Sequence, residues 1–196
     1  MRADLELISD WIAPNSRVLD LGCGNGDLLD HLAEHKNTTG YGLEIDADNI
    51  NLCIERGIPV LEQDIDAGLE NFDLQSFDVV VMAHALQQFR RPDLLLDEML
   101  RIGKEAIITF PNFGHWRNRI HLGVKGHMPV SEFLPYNWYD TPNIHFCTFS
   151  DFRDLCQQKD LKVLRWAAVD GQLRNHWWTR MMPNLFSETA IFHVSR

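Results

Sequence analysis

The chain has 196 residues, 45% of them hydrophobic and 23% charged, enough for a full apolar core. Its formal net charge of −10 sets it against nucleic-acid backbones and anionic membranes. It shows no bilayer-length apolar run and no secretory signal. Its four cysteines (Cys23, Cys53, Cys147, Cys156) lack C-x-x-C spacing and read as free thiols of a reducing cytoplasm.

From Asp4 to Ala13, Leu5, Ile8 and Ile12 recur at helical spacing until Pro14-Asn15 breaks the pattern. Arg17 to Leu21 is predicted as the first strand. Its apolar run ends in Asp20, and Gly22, Gly24 and Gly26 alternate through Cys23 and Asn25 before a helical pattern begins. Glycines suit a turn where backbone must approach a ligand or adopt positive φ. The following helix presents free N–H groups and partial positive charge over the turn, a seat for a carboxylate or phosphate. Small size accounts for Cys23 at this position.

That helix spans Asp27 to His35, with Leu28, Leu29 and Leu32 toward a sheet. Thr38 to Glu44 reads as the second strand, Asp46 to Arg56 as a helix ended by Gly57, and Ile58 to Glu62 as the third strand. Asp64 to Gln75 is a loop with one helical turn. Phe77 to Met82 is a strand covered on both faces, Pro92 to Arg101 a helix burying Leu94, Leu95, Met99 and Leu100, and Glu105 to Phe110 the fifth strand. This alternation predicts an α/β fold with one doubly wound, mostly parallel sheet, ligands lying outside the strands' carboxyl ends. With no repeat or linker, residues 1–196 read as a single domain.

Three acids close three successive strands: Asp20, Glu44 and Asp64. An acid about twenty residues beyond a glycine turn reaches ribose hydroxyls. Glu44 is preferred over Asp46, which reads as the next helix's N-cap. The glycine pattern is D-x-G-x-G-x-G, not the nicotinamide fingerprint G-x-G-x-x-G. It resembles motif I of the class I S-adenosylmethionine-dependent methyltransferases. In that family an acid in the place of Asp64 faces the adenine amino group. The resemblance implies a site made of Asp20, Gly22, Cys23, Gly24, Gly26, Glu44, Asp64, Ile65 and Ala83, holding S-adenosylmethionine or S-adenosylhomocysteine.

Beyond the fifth strand, residues 111–149 lack clean periodicity and hold Phe113, Trp116, Phe133, Tyr136, Trp138, Tyr139 and Phe146. An insert of that length is usually functional. It reads as a lid, a protein-binding surface or core filling. A helix from Ser150, taken as its N-cap, to Gln158 follows. Strands Leu161 to Val169 and Glu188 to Val194 then form an antiparallel end, with an aromatic and Met-rich stretch, residues 175–183, between them.

Methyl transfer is an in-line displacement that needs positioning more than an acid–base pair. His84, after the fourth strand, is a base candidate, although a histidine there is more often structural. Many small-molecule methyltransferases carry a histidine near Gln88, and this chain does not. His115, His121, His127 and His145 match no compact zinc spacing, so no metal is expected. Pro111-Asn112-Phe113 has one proline too few and follows the wrong strand for a DNA amino-methyltransferase motif.

The segments Phe110-Pro111-Asn112-Phe113-Gly114-His115-Trp116-Arg117-Asn118-Arg119, Gly126-His127-Met128-Pro129-Val130 and Trp138-Tyr139-Asp140-Thr141-Pro142-Asn143-Ile144-His145, with Arg90-Arg91-Pro92-Asp93, resemble the methionine biosynthesis protein MetW family over nearly the whole chain. The resemblance implies a cytoplasmic, methyltransferase-fold protein that works with the homoserine O-acyltransferase MetX, and no established methyl acceptor. Two functions follow as expectations. One is a binding and regulatory subunit of the acyltransferase that senses S-adenosylmethionine or its demethylated product. The other is a methyltransferase for a small molecule.

Overall fold

Among the described residues, short runs, most of them rich in Val, Leu, Ile and Ala, form seven strands: β1 (Arg17–Leu21), β2 (Thr39–Glu44), β3 (Val60–Glu62), β4 (Phe77–Ala83), β5 (Gly103–Pro111), β6 (Lys162–Val169) and β7 (Thr189–Ser195). They make one sheet in the order β3-β2-β1-β4-β5-β7-β6. The computed structural model describes residues 3–131, 135–170 and 176–196; Phe133 and Asn175 lie outside them. β1 to β5 are parallel. β7 runs antiparallel to both β5 and β6, the expected antiparallel end.

The α-helices among the described residues are α1 (Ala3–Trp11), α2 (Asp27–Lys36), α3 (Ala47–Glu55), α4 (Pro92–Ile102), α5 (Trp116–Lys125), α6 (Phe149–Gln158), α7 (Trp177–Met181) and α8 (Pro183–Phe186). Strand side chains alternate between two apolar layers. Val18, Val79, Val81 and Ile107 pack with Leu5 and Ile8 of α1, with Ile12 just past it, and with the three leucines of α2. Leu19, Val80, Met82 and Ile108 pack with Leu96 and Met99 of α4 and Phe152 of α6. Among the described residues no helix is long and apolar enough to cross a membrane.

Several boundaries differ from the sequence expectation. α1 stops at Trp11, and β3 starts two residues late, at Val60. In α4, Leu94 is 49% exposed and Leu96 is fully buried, because the buried face is set by Met99, Leu100 and Ile102. α6 is capped by Thr148, not Ser150. The Thr148 hydroxyl accepts from Asp151 N at 3.2 Å, and the Asp151 carboxylate accepts from Thr148 N at 2.9 Å, a reciprocal capping box. The insert contains α5, which lack of periodicity concealed.

Two buried histidines tie folding to pH. Burial, helped by the Arg117 charge, pushes His115 down to about 4. Burial also lowers His193, outweighing the 2.6 Å hydrogen bond with Glu105 that opposes it. Each binds its proton more weakly in the folded state. This contribution to stability is complete above pH 6.5 and is lost as pH falls through 6.5 toward the folded value. His115→Asn should therefore flatten the acid side of the stability profile between pH 6.5 and 4, by up to about 3 kcal/mol relative to wild type. Urea unfolding across that range measures it, and parallel profiles for the two proteins would contradict it.

Candidate functional site

The chain runs outward from β1 to β3 and returns to β4 beside β1, so a crevice opens between the β1 and β4 ends. The glycine turn lines it. Gly24 has φ +55, and a Cβ there would meet nothing within 4 Å, so its backbone faces open space. Gly26 answers to packing instead: a Cβ there would lie 2.7 Å from Ile58 Cδ1. Cys23 fills the space above Gly42, where a Cβ would come within 2.2 Å of its sulfur. Burial, then the Asp20 charge, holds its thiol well above the ordinary range, so it is no nucleophile.

Glu44 ends β2 and is buried. One carboxylate oxygen accepts from Gly24 N at 2.8 Å, and the other accepts from Ile45 N at 2.8 Å and Asp46 N at 3.0 Å. It thus fastens the glycine turn to the start of α3. Asp46 caps α3 by accepting from Asn49 N at 3.0 Å, the role its sequence position implies. Asp20 is buried, in register with Gly42 and Val81. Asp64 is exposed at the end of β3 and caps a 3-10 turn, Ile65–Ala67, by accepting from Asp66 N at 2.9 Å.

Two cavities meet at Gly22 and Ala83. One, of about 440 Å³, is lined by Glu44, Gln63, Asp64, Ile65 and His84 among others. The other, of about 330 Å³, is lined by Leu5, Asp20, Cys23, Gly24 and Asn25 among others. Of the nine candidate residues, all but Gly26 line one of these cavities; Gly26 lies beneath, against Ile58.

Sequence reasoning missed the contribution of α1. Leu5 lines the cleft, and the buried Asp4 carboxylate lies 2.9 Å from His84 Nε2. The available signal was an acid on the Ile8–Ile12 face of an amphipathic helix. His84 is further tethered through its N–H to Thr109 O and Oγ1, each at 3.0 Å, with φ +59. Among the described residues no three His, Cys, Asp or Glu side chains gather as a metal site would.

The aromatic insert lies on the β5 side. None of its described residues lines either cavity. Ile144 N and His145 N both donate to Gln87 O, at 2.9 and 3.0 Å, which seats it after β4. Phe113 packs on Phe146, with ring centroids 4.8 Å apart. Tyr136, Trp138 and Tyr139 are exposed, against the core-filling reading. Asn112 is buried with its amide engaged by backbone groups, so it is not a base-reading group.

The family model described as methionine biosynthesis protein MetW matches residues 2–194. The bifunctional methionine biosynthesis protein MetXA/MetW of Rhodopirellula baltica is 36% identical over 209 residues, covering 100% of this chain and 33% of its own. The chain thus spans about a third of that relative's length. Among solved structures, a SAM-dependent methyltransferase from Archaeoglobus fulgidus has a TM-score of 0.72 at 16% identity, covering 100% of this chain and 92% of that one. An S-adenosylmethionine-dependent methyltransferase from Mesorhizobium loti has a TM-score of 0.71 at 14% identity, with 99% and 96% covered. The cyclase SpnF has 0.70 at 16% identity, with 100% and 81% covered. These likenesses are of fold, and a cyclase among methyltransferases shows that the fold does not fix the reaction. The sequence match is of another kind, since it runs from end to end and includes the insert: the chain belongs to the methionine biosynthesis protein MetW family.

Proposed function

We propose that this protein is a nucleoside-binding regulatory subunit of methionine biosynthesis. It holds S-adenosylmethionine or S-adenosylhomocysteine in the cleft and associates with a homoserine O-acyltransferase to activate or regulate it. The observation that carries the nucleoside reading is the set of acids at three neighbouring strand ends around one crevice: Asp20, Glu44 and Asp64. The donor set fits such a ligand. The N-terminus of α2 suits its carboxylate, while the Gly22, Cys23 and Gly24 N–H groups are taken up by Leu43 O and Glu44 and hold the turn in shape. Asp20 supplies negative charge for its ammonium, Glu44 has remaining lone pairs for ribose hydroxyls, and Asp64 suits the adenine amino group. Gly22, Cys23, Gly24, Ile65 and Ala83 form the walls, and Gly26 keeps the turn in place. The cavity volumes suit a small-molecule site. Bound S-adenosylmethionine supplies an activated methyl group. Regulation requires only that the ligand favour one state of the complex over another.

The relative that joins a MetXA and a MetW part in one chain supports the association. A second reading, a methyltransferase for a small molecule, is favoured by one feature: His84 lines the cleft, oriented by Asp4. It would make His84 a base toward an acceptor.

Calorimetry with both nucleosides, alongside the homoserine acylation rate titrated with this protein, separates the two. Asp20→Ala is expected to weaken nucleoside binding at least about 30-fold, the worth of one strong charged contact. Unchanged binding would remove the cleft assignment. An acylation rate indifferent to the protein would remove the association and leave the methyltransferase reading.

A further inference from the structure

Helix α5 is ten residues long, yet only Asn118 is buried. Ile120, Leu122 and Val124 are exposed, Val124 to 80%. Helices this short are marginal in water and normally persist by burying a face. Its charge also departs from the rest of the chain. Residues 111–131 contain no Asp or Glu, in a protein with 28 of them, and carry Arg117, Arg119 and Lys125.

The apolar surface extends beyond the helix. Half-buried Met128 and buried Pro129, just past α5, line a small void with the exposed Tyr136 and Trp138. Trp138 and Tyr139 are 73% and 70% exposed. At the other end, Arg119 donates to Asn184 O at 3.4 Å. A Cβ on Gly114 would come within 2.8 Å of the Asn184 side chain. These contacts join α5 to α8, and so to the exposed Trp177 and Met181 of α7. The surface lies at the β5–β7–β6 end of the sheet and shares no residue with the cleft.

We propose that this surface, with α5 at its centre, is where the homoserine acyltransferase docks, its occupied face an apolar groove rimmed with carboxylates. The inference rests on the association proposed above and gives it a location. The relative that carries both parts in one chain holds them at high effective concentration, a condition under which a complementary face on each is used. Trp, Tyr, Met and Arg are the side chains that anchor protein interfaces. A basic central segment without acids, residues 111–131, on an otherwise acidic protein steers an acidic partner toward that segment. The same chain-wide charge of −10 opposes an anionic bilayer as the occupant.

The test uses the full chain and the acyltransferase of the same organism, with association followed by sedimentation velocity. Ile120→Asp with Val124→Asp alters exposed positions only, and Trp138→Ala probes the insert separately. Each is expected to weaken association at least about 30-fold while S-adenosylhomocysteine binding stays at the wild-type level. Equal association of wild type and variants would overturn the location and leave the association standing. No association of wild type would overturn both. Wild-type binding to phosphatidylglycerol vesicles that the variants lose, with acyltransferase association unchanged, would assign the face to a membrane and overturn the proposal.

Discussion

Glu44→Ala is expected to weaken S-adenosylhomocysteine binding at least about 100-fold and to lower the unfolding free energy by about 2 kcal/mol. The two losses have one origin. The Glu44 carboxylate accepts from Gly24 N in the glycine turn and from Ile45 N and Asp46 N at the start of α3. Hydrogen bonds to a charged acceptor are the stronger kind. Ile45 and Asp46 are exposed, so water takes over there, and most of the stability cost falls on the half-buried Gly24 N–H. Without that anchor the turn can relax and shift the cleft wall that Gly22, Cys23 and Gly24 form. The proposed ribose contacts vanish in the same step. Glu44→Gln isolates the Gly24 contact from the other two. Its amide oxygen can still serve Ile45 and Asp46, but its NH2 then meets the Gly24 N–H, donor against donor. Binding should fall nearly as far as in the alanine variant, with a stability loss at least as large, because the contact that carries most of it is the one the amide opposes. Calorimetry and urea unfolding on both variants measure this. Wild-type stability with lost binding would mean that the turn holds itself, and wild-type binding would remove Glu44 from the ligand site.

The parts of this site that were legible in the sequence are those fixed by short-range pattern. β1 follows from an apolar run bounded by Pro14-Asn15 and Gly22, and α2 from three leucines at helical spacing. The order of acids at strand ends follows once the strands are placed. What the sequence did not yield depends on phase, on choice between equivalent caps, or on distance. Leu94, Leu95 and Leu96 are interchangeable to a pattern, and only the packing of Met99 and Ile102 turns Leu94 outward. Ser150 and Thr148 can both cap α6, and Asp151, three residues after Thr148, decides between them. The grip of Glu44 on Gly24 needs the parallel register that pairs Leu21 with Leu43. The Asp4–His84 contact spans eighty residues. Helix α5 escaped because periodicity detects a buried face, and α5 buries a single side chain.

The largest stability effect is expected at Asn112, where Asn112→Ala should cost about 3 kcal/mol and Asn112→Asp at least as much. The side chain is 2% exposed at the end of β5. Its Nδ2 donates to Ser187 O at 2.9 Å, Ser187 Oγ at 3.1 Å and Asn184 O at 3.2 Å. Its Oδ1 accepts from Gly114 N at 3.0 Å and from Phe149 N at 3.1 Å. One amide therefore fastens the start of the insert, the first turn of α6 and the segment after α8. Alanine leaves two buried N–H groups and a carbonyl without their partner in a space too tight for easy solvation. Aspartate keeps the acceptor but turns the donor into a second acceptor facing the Ser187 and Asn184 carbonyls. The carboxylate must then either repel them or take up a proton to donate one, so the loss should lessen in mild acid. That pH response distinguishes the aspartate variant from a merely loosened core. The damage should also be directional. The cleft lies on β1, β2, β3 and β4, whereas Asn112 seats the elements around β5 and α6. At temperatures where the variants stay folded, nucleoside binding should hold near wild type, while proteolytic cleavage within residues 113–147 rises and association with the acyltransferase falls. Binding lost in step with association would mean that the two ends of the sheet are not independent.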